Sequence, residues 1–218
     1  MLTLYAHPFS AYCQKVLIAL YENATPFTLR MLEPGDAQAF AELEALWPFK
    51  RFPVLVDDDR AVMESSIIIE HLGHQHPGPL RLIPQDAAAA LDARMMDRFF
   101  DNYVMTPMQK IVGDHIRPEA ERDPRGVADA RARLDVSYEW LDEGLKDRQW
   151  ALGEGFTVAD CGAAPSLFYA DWVHPIAEQF ANTRAYRARL LARPSVGQAV
   201  DEARPYRKFF PPGAPDRD

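Results

Sequence analysis

Residues 75–84, with Pro77, Gly78, Pro79 and Pro84 among them, divide the chain into two parts of different periodicity. Three prolines and a glycine so close together disfavour both a helix and a central strand, so no regular element is expected to cross this stretch and each side must build its own layers. Before it, short alternating runs and helical runs take turns. Residues 2–5 form a strand-like run that His7-Pro8-Phe9 breaks, and a helix is predicted from Ser10, with Cys13, Val16, Leu17, Leu20 and Tyr21 on one face. Asn23 ends it. Phe27, Leu29 and Met31 then alternate with polar residues as a half-buried strand does, and residues 37–46 suit a second helix. Residues 54–56 and 61–63 flank the acidic turn Asp57-Asp58-Asp59, which requires an antiparallel pair. A third helix is predicted from Ser65 to about His74, its apolar face made by Ile67, Ile68, Ile69 and Leu72. The order is β-α-β-α-β-β-α, an α/β domain.

Beyond the linker every long pattern is helical. Leu91, Met95, Arg98 and Phe99 open one helix, and further helices are predicted over residues 128–145, 157–170, 177–191 and 194–203. The expected division is an α/β domain over 1–76, a linker over 77–84 and an all-helical bundle over 85–218. Twenty-four basic against thirty-two acidic side chains leave a net charge of −8. That field repels phosphate backbones and anionic headgroups, so neither nucleic acid nor a membrane surface is expected as a partner. No apolar run approaches the ~20 residues that span a bilayer. Cys13 and Cys161 are too few for a disulfide framework, which points to a reducing, cytoplasmic setting.

Three junctions between elements carry candidate chemistry. Ser10 follows a strand and opens a helix, so its hydroxyl and the free N–H groups of the first turn face one point, where they cap the helix or hold an anion. A free thiol with a pKa of about 8.5 is only a few per cent ionised near neutrality. A hydrogen bond to a charged group contributes roughly 1.5–3 kcal/mol, or about one to two pKa units, enough to raise a thiolate about tenfold. Pro53 precedes a strand, and a cis Phe52-Pro53 bond would leave the N–H and C=O of Phe52 free for a peptide-like ligand. Glu64-Ser65 opens the third helix, where the helix N-terminus suits a carboxylate and Glu64 an ammonium.

Taken together, in this register, these residues resemble the soluble glutathione transferases, of the serine type. The segment Phe156-Thr157-Val158-Ala159-Asp160 is similar to the family's Thr-x-x-Asp capping box, and residues 191–196 to a family segment before the last helix. The resemblance implies a thioredoxin-like N-terminal domain, a helical C-terminal domain carrying the electrophile pocket, and glutathione as cosubstrate without a metal. It implies conjugation of the glutathione thiolate to electrophilic, largely apolar small molecules, a detoxification chemistry. Ser10 would donate to the thiolate, Phe52 beside Pro53 would pair with the cysteinyl backbone, Glu64 and Ser65 would hold the γ-glutamyl end, and Lys50 would face the glycine carboxylate. It also implies a homodimer, with residues 94–101 packed on the partner's first domain.

The sequence departs from the family pattern at Trp47-Pro48-Phe49, which replaces the commoner Asn-Pro loop, at the bulky Arg51-Phe52, and at Ser66, where some classes carry arginine. Tyr5, near the end of the first strand, competes with Ser10 as thiolate partner. Ser10-Ala11-Tyr12-Cys13 occupies the Cys-x-x-Cys position of thioredoxin-like domains without its first cysteine, which argues against a thiol-disulfide reductase. His71 and His74 have the spacing of a metal pair, with His76 nearby, but no third ligand of fixed geometry accompanies them and histidines there complement a helix C-terminus. Phe99, Phe100, Tyr103, Met105 and Met108 read as core and domain interface, with part of the run available to an apolar cosubstrate. Isomerisation, dehalogenation or peroxide reduction would use the same thiolate, and a non-catalytic binding protein of the same fold is the remaining alternative.

Overall fold

The computed structural model describes residues 1–218. Strands β1 (Leu2–Ala6), β2 (Thr28–Met31), β3 (Val54–Asp57) and β4 (Arg60–Met63) form one mixed sheet in the order β2-β1-β3-β4. β1 pairs parallel to β2 and antiparallel to β3, and β3 pairs antiparallel to β4. The period of two along β1 sorts its side chains. Leu2, Leu4 and Ala6 are buried in the main core with α1 (Ala11–Glu22) and α3 (Ser65–Gln75), while Tyr5 packs in a smaller cluster with Leu43 of α2 (Ala37–Leu46).

The helical part comprises α4 (Ala87–Phe99), a π-helical segment (Phe100–Met105), α5 (Thr106–Ile116), α6 (Pro124–Gly144), α7 (Val158–Val173), α8 (Ala181–Leu191) and α9 (Pro194–Ala203). Every residue of α7 is buried, because it packs against α1, α4, α5 and α8. Its start is held by the expected capping box: Asp160 accepts from the Thr157 N–H at 2.8 Å and from the Thr157 hydroxyl at 3.1 Å. The same carboxylate accepts from the Ala151 N–H at 2.9 Å and the Tyr186 hydroxyl at 2.6 Å, so α7, α8 and the preceding loop share one buried acceptor.

α1 lies between the sheet and the bundle, and this explains why it is buried continuously from Cys13 to Leu20 instead of along one stripe. Its polar residues are therefore paired. Gln14 donates to the Pro8 carbonyl at 2.9 Å and the Tyr169 hydroxyl at 3.1 Å, and Glu22 accepts from Arg193 at 2.6 Å.

The elements depart from expectation in five places. Ile67 does not join the apolar face of α3 but is 54% exposed, since only Ile68, Ile69 and Leu72 point at the sheet. Leu29 on the edge strand β2 is likewise exposed. α6 begins earlier, at Pro124, with Asp123 capping the Gly126 N–H at 2.8 Å, and α8 begins later, at Ala181. α5 was not expected. The π segment carries the chain from α4 into it without a break, and Pro107 sits in its first turn, where proline is tolerated.

Candidate functional site

A cavity of about 520 Å³ opens between the two parts of the chain. On the α/β side it is lined by Ser10, Lys50, Phe52, Pro53, Glu64 and Ser65, so the six residues singled out in the sequence come together. Tyr12, Trp47 and Arg51 complete that wall, and Arg98, Asp101, Asn102 and Gln109 form the other.

Each side chain owes its place to an element boundary. Ser10 is the N-cap of α1 in extended conformation, yet its side chain makes no capping hydrogen bond. The Phe52-Pro53 bond is cis, and neither the N–H nor the C=O of Phe52 takes part in a backbone hydrogen bond. Glu64 holds the N-cap position of α3 at a φ of 68°, and its exposed carboxylate makes no capping hydrogen bond. The first amides of α1 and of α3 thus meet the same cavity, and two positive helix ends make it a site for anions on a chain of net negative charge. Lys50, at a φ of 52°, pairs with Glu44 at 2.8 Å, whereas Arg51 has no carboxylate partner.

Tyr5 is directed elsewhere. Its hydroxyl lies 3.5 Å from Glu42, which is itself held by Arg30 at 2.8 Å, and it does not line the cavity. Burial, and secondarily the Glu42 charge, raise its pKa. Cys13 is fully buried, and burial pushes its thiol up to about 12, so it is neither thiolate nor nucleophile near neutrality. Phe99, Phe100, Met105 and Met108 are buried in the core and leave the helical wall of the cavity to polar side chains.

Sequence reasoning missed that wall, Tyr12 on the α/β side, and the floor beneath. Tyr12, one residue past the start of α1, faces the cavity, with its hydroxyl pushed up to about 12 by burial. Below lies a buried ion cluster. Lys15 of α1, 1% exposed, places its ammonium 2.5 Å from Asp97 and 3.0 Å from Asp101. Ser66 of α3 accepts from Lys15 at 3.0 Å and donates to Asp97 at 2.6 Å. Arg98 reaches Asp97 at 3.0 Å and also contacts Asp101 and Ser66. Two cations and two carboxylates balance, and burial raises the Asp101 carboxyl above its ordinary range. The only signal in the sequence was charge at buried positions: a lysine inside an apolar helix face and two aspartates flanking Phe99 and Phe100.

Residues 4–80 match the family described as Glutathione S-transferase, N-terminal domain, and residues 119–189 match Glutathione S-transferase, C-terminal domain. The chain belongs to the glutathione S-transferase family. It is 27% identical over 191 residues to Glutathione S-transferase GstA of Escherichia coli O157:H7, covering 84% of this chain and 90% of that protein. It is 26% identical over 217 residues to a probable maleylacetoacetate isomerase of Vibrio cholerae, covering 94% and 97%. Among solved structures, a glutathione S-transferase from Methylobacterium radiotolerans in complex with glutathione sulfonate superposes with a TM-score of 0.79 at 29% identity, covering 91% and 94%. In this transferase the thioredoxin-like sheet and its two helix ends supply one wall of the cavity and the helical domain supplies the other. No helix of the transferase is long and apolar enough to cross a membrane.

Proposed function

We propose that the cavity binds glutathione and that Ser10 holds its sulfur as a thiolate for attack on a small electrophile. The observation that carries this is the uncapped Ser10 hydroxyl at the start of α1, in the same cavity as the free backbone of Phe52 and the Glu64-Ser65 start of α3. The cysteinyl backbone pairs with Phe52, the γ-glutamyl carboxylate takes the first amides of α3 with Ser65, and its ammonium takes Glu64. The glycine carboxylate faces Lys50 and Arg51. With no metal on this path, the serine hydroxyl and the positive end of α1 are what lower the thiol pKa. The electrophile enters along Tyr12, Asn102 and Gln109. The bound glutathione sulfonate in the Methylobacterium radiotolerans protein, an anionic form of the tripeptide, supports the same reading here.

The isomerase relative supports a second reading in which the same thiolate adds to a substrate double bond and leaves again. A homodimer is proposed too. Leu91 and Met95 on α4 and Ile67 on α3 are exposed apolar side chains, Met95 within the segment 94–101. A species near 24.7 kDa in sedimentation would count against it. The reading places the chain in the cytoplasm, in keeping with its two buried, unpaired cysteines.

The test is Ser10→Ala beside Tyr5→Phe. Ultraviolet titration of enzyme-bound glutathione should show the thiol pKa raised by about one to two units in the first variant, with conjugation near pH 6.5 about tenfold or more slower, and no change in the second. Full activity with an unshifted thiol in Ser10→Ala would remove Ser10 from the mechanism. No glutathione binding at millimolar concentration would remove the enzymatic reading altogether.

A further inference from the structure

Away from the cavity, at the opposite end of α3, three side chains of metal-ligating type converge. Asp57 Oδ2, at the end of β3, accepts hydrogen bonds from His71 Nε2 at 2.9 Å and His76 Nε2 at 2.7 Å. One ligand atom from each residue lies within 4.8 Å of the other two. His71 comes from α3 and His76 caps that helix. The third ligand that the histidine spacing lacked is supplied by the sheet, and His76 replaces His74 as the partner of His71.

We propose that Asp57, His71 and His76 form a site for a divalent transition-metal ion of the zinc type, serving as a structural tie between β3 and α3. Two imidazoles and one carboxylate form a donor set that suits such ions and leaves a fourth position for water. With bonds of about 2.0–2.2 Å, ligand atoms around a tetrahedral ion sit about 3.4 Å apart. The two hydrogen-bonded contacts, at 2.9 and 2.7 Å, therefore widen by about 0.5 and 0.7 Å as each imidazole moves its Nε2 proton to Nδ1 and presents the lone pair. The backbone under Asp57 is fixed, because its strand is paired on both sides, with Leu2 and Arg60 opposite. His71 and Asp57 are 8% and 14% exposed and His76 34%, so the site is sheltered but open on the His76 side. A cavity of about 400 Å³ adjoins His76 there, giving the ion and its water a route from solvent. No lysine or arginine pairs with Asp57, and the carbonyl end of α3 favours positive charge at this point.

The test is a Zn²⁺ titration of the full chain, free of any polyhistidine tag and of glutathione, read by calorimetry and by melting temperature. The expected result is one ion per chain, with the melting temperature raised by roughly 5–10 °C at a hundredfold excess over Kd. His71→Gln and His76→Gln, each compared with its own metal-free form, should bind at least about tenfold more weakly, and His74→Gln should bind normally. Co²⁺ in place of Zn²⁺ should give a visible ligand-field spectrum that His76→Gln abolishes. Absence of saturable binding to the unaltered chain would overturn the proposal. So would binding that His71→Gln and His76→Gln leave unchanged, since the ion would then sit elsewhere. Neither result bears on glutathione, whose site is at the other end of the helix.

Discussion

Replacing Lys15 by methionine should show that the ion cluster under the cavity holds the two domains together. Methionine has nearly the volume of lysine and fits an apolar site, so the perturbation is the loss of one charge at a position 1% exposed. Two buried carboxylates, Asp97 and Asp101, then share only Arg98, whose side chain is 51% exposed. Removing one partner of a buried pair costs about 3–5 kcal/mol. Arg98 already reaches both carboxylates, which places the expected loss at about 3 kcal/mol, or roughly 6–12 °C in melting temperature for a chain of this size. The cost should depend on pH with a definite sign. Burial already raises the Asp101 carboxyl, and losing Lys15 raises it further. A carboxyl whose folded pKa exceeds its unfolded value stabilises the fold below the unfolded pKa, and that contribution is lost as pH rises through the folded one. The variant should therefore lie closer to the parent at pH 5 than at pH 7.5, and Lys15→Met with Asp97→Asn should recover part of the loss. Thermal melts of the three proteins at the two pH values decide it. A Lys15→Met protein melting within about 2 °C of the parent at pH 7.5, or a cost independent of pH, would refute the reasoning.

Two further outcomes follow from the same kind of accounting. Asp160→Ala strands four donors, from Ala151, Thr157 twice and Tyr186, and should cost about 3 kcal/mol or more in urea unfolding. Asp36, Glu42, Glu70 and Asp123 are all held below the ordinary carboxylate range, by a backbone amide at Asp36 and by arginine or lysine partners at the others. Each contributes stability that is complete above the unfolded pKa near 4 and disappears as pH falls through the lowered folded value, so unfolding monitored by circular dichroism should become easier below about pH 4.

The order of elements in the α/β domain was legible because each strand and helix has its own hydrophobic period and a proline, glycine or acidic turn at its ends. Ser10, Pro53 and Glu64-Ser65 were legible for the same reason: they stand where one element stops and the next starts, which is where backbone groups are left unpaired. The helical wall was not. Asn102 and Gln109 acquire their position from a π segment that no pattern in residues 100–105 announces and from the helix that starts around Pro107. Lys15 is far in sequence from Asp97 and Asp101 and meets them only when α4 docks on α1, so each alone reads as a misplaced charge. Asp57 belonged to an acidic turn, and nothing short of the β3–α3 packing shows that it faces two histidines.

The polarity of α3 connects what lies at its two ends. Eleven residues make a helix about 16 Å long, with positive charge developing at its first amides and negative charge at its last carbonyls. At the first end stand Ser65 and the exposed Glu64, where an anionic carboxylate is favoured; at the last stand His71, His76 and Asp57, where a cation is favoured. Between them Ser66 joins the helix to Lys15 and Asp97, and Arg94 of α4 pairs with Glu70. The helix is thus fixed along its length to the bundle and at its end to the sheet. An ion bound at the C-terminal end would act on a segment already anchored at the other, which is why it should raise the melting temperature while leaving the carboxylate end where it is.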